Sequence, residues 1–136
     1  MPKGGKKEPR EDVGRPEVIV DFIFEGGLFF IAVQNISDVP ACRVSTRFKP
    51  SFNGVEGTKQ ISELALFRNI EFLAPRKEIR AFLDTSASYF HRQEPLLITA
   101  QVSYEDGNGI KYATTIRHDL SIYIELGYVT RTEGKQ

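Results

Sequence analysis

Tryptophan is missing from the 136 residues, cysteine occurs once and histidine twice. A lone cysteine, Cys42, allows no intramolecular disulfide and excludes a four-cysteine zinc site. The core must therefore hold by packing alone, which fits a reducing compartment. Net charge is missing as well, because 18 basic residues balance 18 acidic ones. Nothing draws the whole molecule to phosphate backbones or acidic membranes, so nucleic acid is not an expected partner. No run approaches the ~18 apolar residues of a membrane span. The opening MPKGGKKEPREDVGRP has charges but no apolar secretory stretch. A soluble, cytoplasmic protein is the expectation.

Catalytic and cofactor signatures are absent too. There is no HExxH zinc motif and no Gly-x-Ser-x-Gly nucleophile elbow. Gly107-Asn108-Gly109 sits in a hairpin rather than before a helix, so it is no phosphate loop. No enzyme activity, metal or cofactor is expected.

Strands are what the chain does contain. Val18, Val20 and Phe22 alternate with Ile19, Asp21 and Ile23, which predicts a strand over 17–24. Glu25-Gly26-Gly27 is a turn. Residues 28–34 are apolar on both faces, as expected of a central strand. A turn follows through Asp38 and Pro40. Asn35 can bond backbone amides there, and Pro40 fixes φ at the entry to the next strand. That strand turns Val44, Thr46 and Phe48 inward and Arg43, Ser45 and Arg47 outward. Pro50, Asn53-Gly54 and Gly57 mark a loop. Residues 61–67 fit a turn or short helix, or the start of a strand. Ile70 and Phe72 share one face of a strand over 69–73, and Ile79, Ala81 and Leu83 one face of the next. Asp84-Thr85-Ser86 can cap a short helix over 87–91. The clearest alternation is Leu96, Ile98, Ala100, Val102 and Tyr104. A hairpin signal at 105–109 and a partner carrying Tyr112, Thr114 and Ile116 follow it. Residues 120–126 continue that edge or form an eighth strand. This pattern predicts one all-β domain, a sandwich or barrel, over 16–128. It is flanked by a disordered tail over 1–15 and a polar tail over 129–136.

Val33, Asn35, Pro40-Ala41, Val44 and Phe48 carry a pattern that resembles prokaryotic immunoglobulin-like domains of the bacterial cell-adhesion-related type. Phe72 to Ile79 resembles the corner before the next strand of such domains, and 95–116 resembles their closing hairpin. The chain departs from them at Ser37 and Arg76, where they favour glycine. The resemblance spans 17–123. It implies an immunoglobulin-like antiparallel β-sandwich of seven to eight strands. It also implies a non-catalytic role in protein contact or spacing, with no catalytic residues to carry over. A β-sandwich that binds a carbohydrate or small ligand is the alternative, and it requires a concave face lined with exposed aromatics.

Five residues are candidate contacts for an unidentified protein partner: Tyr89, Phe90 and Arg92 in one loop, and Asp106 and Asn108 at the hairpin tip. Exposed aromatics beside a cation suit an interface. Alternatively, Tyr89 and Phe90 plug one end of the sandwich. Glu105, Asp106 and Asn108 are rich in oxygen but fall short of a calcium ligand set, and turn chemistry explains them more simply. His91 and His118 have no spacing that pairs them as ligands or as acid and base. Cys42 is read as a small buried hydrophobe rather than a nucleophile. Arg43, Arg47, Lys111 and Arg117 face outward and would form a basic stripe if their strands were neighbours. Outward charges also discourage edge-to-edge aggregation. The five basic residues of the tail are mixed with three acidic ones, as in a solvated segment.

Overall fold

Two-residue alternation of apolar and polar side chains gives each strand one buried face. The chain accordingly forms a sandwich of seven antiparallel strands, seen in a computed structural model that describes residues 14–126. The strands are β1 (Val18–Glu25), β2 (Leu28–Asn35), β3 (Ala41–Lys49), β4 (Ile70–Leu73), β5 (Glu78–Thr85), β6 (Leu97–Glu105) and β7 (Lys111–Asp119). One sheet has the order β1-β2-β5 and the other β4-β3-β6-β7. Two short helices, α1 (Ala65–Arg68) and α2 (Ser86–His91), lie in the connections. Thr85 caps α2 by accepting from the Ser88 amide at 3.1 Å. Most of the expected tails, 1–13 and 129–136, lies outside the described residues. Of the N-terminal tail, Arg15 is described, and its guanidinium lies over the Tyr112 ring at 5.2 Å.

The turn after β2 carries the chain from one sheet to the other, and Asn35 is its fastener. The buried Asn35 amide donates to the carbonyls of Val39 (2.9 Å) and Leu73 (3.1 Å). Its oxygen accepts from the Ser37 amide at 3.0 Å. At the facing corner Arg76 takes a φ of +61°, the left-handed conformation that favours glycine. Its guanidinium bonds Asp38 at 2.9 Å and the Ile36 carbonyl at 2.7 Å. These bonds offset a strain on the order of 1 kcal/mol.

Two local expectations are corrected. Ile70 and Phe72 do not share an inward face: Leu73 is buried opposite Ala41, Ile70 packs on the core opposite Val44, and Phe72 points out. The cause is a bulge in β3, where Arg43 adopts φ +50° and shifts the inward phase of both strands. Residues 120–126 are helical, not an eighth strand. Asp119 caps that turn by accepting from the Ser121 amide at 3.0 Å and hydroxyl at 2.6 Å. Its apolar content then plugs the sandwich: Leu120 is buried, and the Tyr123 ring packs against Phe24 and Phe29.

The core between the sheets holds Val18, Val20, Phe22, Phe29, Ile31 and Val33 from one layer. Val44, Ile98, Ala100, Val102 and Tyr104 come from the other. Among the described residues every buried side-chain polar atom has a partner.

Candidate functional site

The loop around Tyr89 is a plug. Tyr89 is fully buried, its ring meets Phe29 edge-on at 5.8 Å, and its hydroxyl donates to the Pro95 carbonyl at 2.7 Å. Burial first, and then the nearby Glu94 carboxylate, push its phenol well above the usual range. Phe90 is half-buried against the same Phe29 ring at 5.5 Å.

Arg92 closes that end as a latch. Its Nη1 donates to Asp84 Oδ2 at 2.6 Å and to Ser88 Oγ at 2.7 Å. Its Nη2 donates to the Asn53 carbonyl at 3.1 Å, and its Nε to Glu94 Oε2 at 3.3 Å. Burial works against the guanidinium charge, but the bonds to Asp84 and Glu94 outweigh it and raise the pKa. Of this group, His91 alone is freely exposed, at the end of α2.

The hairpin tip turns one of its two candidate contacts inward. Asp106 is buried and accepts from the Asn108 amide (2.8 Å), the Ile110 amide (3.0 Å) and the Tyr112 hydroxyl (3.1 Å). Burial opposes its charge, yet these donors hold its carboxyl below the ordinary range. Asn108 is exposed. Glu105 is held low chiefly by the Arg43 hydrogen bond. Among the described residues no three His, Cys, Asp or Glu side chains gather as metal ligands. His118 is spent between the sheets, with Nε2 2.9 Å from the Val20 carbonyl and its ring edge-on to Phe22.

The basic stripe is interrupted, because β6 separates β3 from β7. Arg43 is bound to Glu71 (3.1 Å) and Glu105 (2.8 Å), while Arg47 faces Gln101 and Arg117 faces Thr99. A hollow of about 430 Å³ on this face is lined by the small side chains Ser45, Ser103 and Ala113 beside the Arg43–Glu105 pair.

A partly exposed apolar surface lies on the other sheet, with Ile23 and Phe30 half-buried in it. Register aligns Ile23 with Phe30 and Phe30 with Phe82, making an apolar row across the outer face of all three strands. Phe82 is 42% exposed and neighbouring Leu28 38%. The Phe30 and Phe82 rings meet at 5.9 Å, tilted by 72°. Arg80 lies over the Phe30 ring at 5.2 Å and bonds Glu78 (2.8 Å) and Glu25 (3.3 Å), so the row has a charged rim. The sequence signal for this surface was the apolar character of both faces of 28–34. A central position in the sheet buries only one of those faces here, since no layer among the described residues covers the other.

A family model described as a domain of unknown function (DUF8453) matches residues 4–124. The chain belongs to the DUF8453 family. No curated protein and no solved structure matches it. The DUF8453 span takes in all seven strands, and with them the Arg92 latch, the Asp106 turn and the apolar row. Among the described residues no helix is long and apolar enough to cross a membrane.

Proposed function

We propose that this DUF8453 domain is a non-catalytic, immunoglobulin-like module. It binds another protein through the outer face of its three-stranded sheet and works in a reducing, cytoplasmic setting. The observation that carries this proposal is the Ile23–Phe30–Phe82 row. Aromatic side chains at the centre of a patch with charges at its edge are the usual anatomy of a protein contact. A spacer needs no apolar outer face. The strand order supports the immunoglobulin-like part. It matches the constant-type arrangement except that the fourth strand pairs beside β3 rather than β5. The tilt of the Phe30 and Phe82 rings leaves no flat paired platform for a sugar, which favours a protein partner over a carbohydrate.

Capture from the native host tests the proposal, using the wild-type chain and Phe82→Asp as baits. The variant changes an exposed side chain, so its folding should be nearly unaffected, within about 1 kcal/mol. Proteins retained by the wild type and lost with Phe82→Asp support the apolar row as the contact. Identical retention by both baits rules it out.

A further inference from the structure

We propose that two copies of this chain join edge to edge through β7, making one continuous antiparallel sheet across a two-fold axis at Thr115. Each sheet has edges that could pair with another chain. Three of the four are closed or short. On β1 the carbonyls of Val20 and Phe22 are occupied by His118 and by the Tyr123 hydroxyl. On β5 the Leu83 carbonyl accepts from the Val55 amide at 2.8 Å. β4 has only four residues. β7 has nine, contains no proline, pairs in unbroken register with β6 and, among the described residues, has no second strand beside it.

Charge fixes the partner and the register. Lys111, Ala113, Thr115, Arg117 and Asp119 are the exposed members of the β7 alternation. An antiparallel copy centred on Thr115 sets Lys111 opposite Asp119 at both ends of the pair and Arg117 opposite the small Ala113. Opposite charges directly across antiparallel strands attract. A two-residue slide one way centres the pair on Thr114 and places Lys111 against Arg117 twice, which repels; the other way centres it on Ile116, where Asp119 meets Ala113 and no opposite charges pair. A one-residue slip would pair outward with inward side chains and is excluded by the pleat.

A further observation fits the same axis. Ile110 and Ile122, at opposite ends of β7, are 54% and 62% exposed. The axis brings Ile110 of one copy level with the 3₁₀ turn Leu120–Ile122 of the other. Because the axis runs through the sheet, the two apolar rows would face the same side, displayed as a pair.

The test uses the full chain carrying Cys42→Ser, so that introduced cysteines are the only thiols. Sedimentation at tens of micromolar should give twice the mass of one chain. Mild oxidation should cross-link Thr115→Cys, whose copies would stand opposite each other at the axis. It should spare Ala113→Cys, whose copies lie too far apart for a disulfide, which needs Cα atoms within about 7 Å. Lys111→Asp should shift the sedimenting mass toward one chain. A single-chain mass for the parent protein would overturn the proposal, as would equal cross-linking at both positions. Both readouts are independent of the apolar row, so failure here leaves the partner surface standing.

Discussion

Replacing Arg92 with alanine should unfold one end of the sandwich far more readily than an ordinary surface change would. Arg92 fastens β5, α2, the 53–57 loop and Glu94 at once. Asp84 is only 1% exposed. Without the guanidinium its carboxylate keeps two donors, the Glu56 amide at 3.2 Å and the Thr85 amide at 2.8 Å. Removing one partner of a buried ion pair typically destabilises by 3–5 kcal/mol, because a charge is left buried and unpaired. Arg92 keeps some contact with water, so the lower end applies, about 3 kcal/mol. For a domain of this size that lowers the melting temperature by roughly 10–15 °C. Thermal unfolding followed by circular dichroism reads it directly. The double variant Asp84→Asn, Arg92→Met removes the stranded charge and should be less destabilised than the two single changes predict, by more than about 1 kcal/mol. A loss below about 1 kcal/mol for Arg92→Ala, within the range of ordinary surface changes, would refute the latch.

Other perturbations separate the parts of the fold. Gly54→Ala should be poorly tolerated, at about 3 kcal/mol or more by urea unfolding, because a β-carbon there would overlap the Leu83 carbonyl oxygen and crowd Ile61. Asp106 and Glu105 are both held below their ordinary pKa, so the stability they contribute is fully present above the unfolded-chain carboxylate range. It is lost as pH falls below about 4 and the unfolded chain binds more protons than the native one. Asp106→Asn should lower stability at neutral pH by about 2 kcal/mol and flatten the acid loss, as measured by urea unfolding at several pH values.

Much of the architecture was legible in the chain because strand alternation is local. Val18, Val20 and Phe22, and Ile98, Ala100 and Val102, point inward as their spacing requires. The turn residues, from Gly26-Gly27 to Gly107-Asn108-Gly109, sit between paired strands. What failed depended on non-local geometry. The β3 bulge that turns Phe72 outward has no signal in Phe72 itself, because it arises from how β3 meets β6. The apolar run 120–126 has strand-like content, yet the Asp119 cap and the Tyr123 contact with Phe24 and Phe29 commit it to a helical plug. The candidate site was less legible. Tyr89 and Asp106 are polar-tipped residues in turns, and sequence cannot distinguish a buried donor or acceptor from an exposed one. Here both spend their polar atoms inside the fold. Ile23, Phe30 and Phe82 lie on three separate strands, and only the register of the sheet makes them one surface.

That surface is the central claim, and a titration decides it most directly. A partner recovered with the wild-type chain should be purified and its affinity measured by calorimetry for the wild type, Phe82→Asp and Asn108→Ala. Loss of a central aromatic contact of at least about 2 kcal/mol predicts at least ~30-fold weaker binding by Phe82→Asp. Asn108→Ala, at the far hairpin tip, should bind as the wild type does. An unchanged Kd for Phe82→Asp, with binding lost in Asn108→Ala, would contradict the account and move the contact to the hairpin.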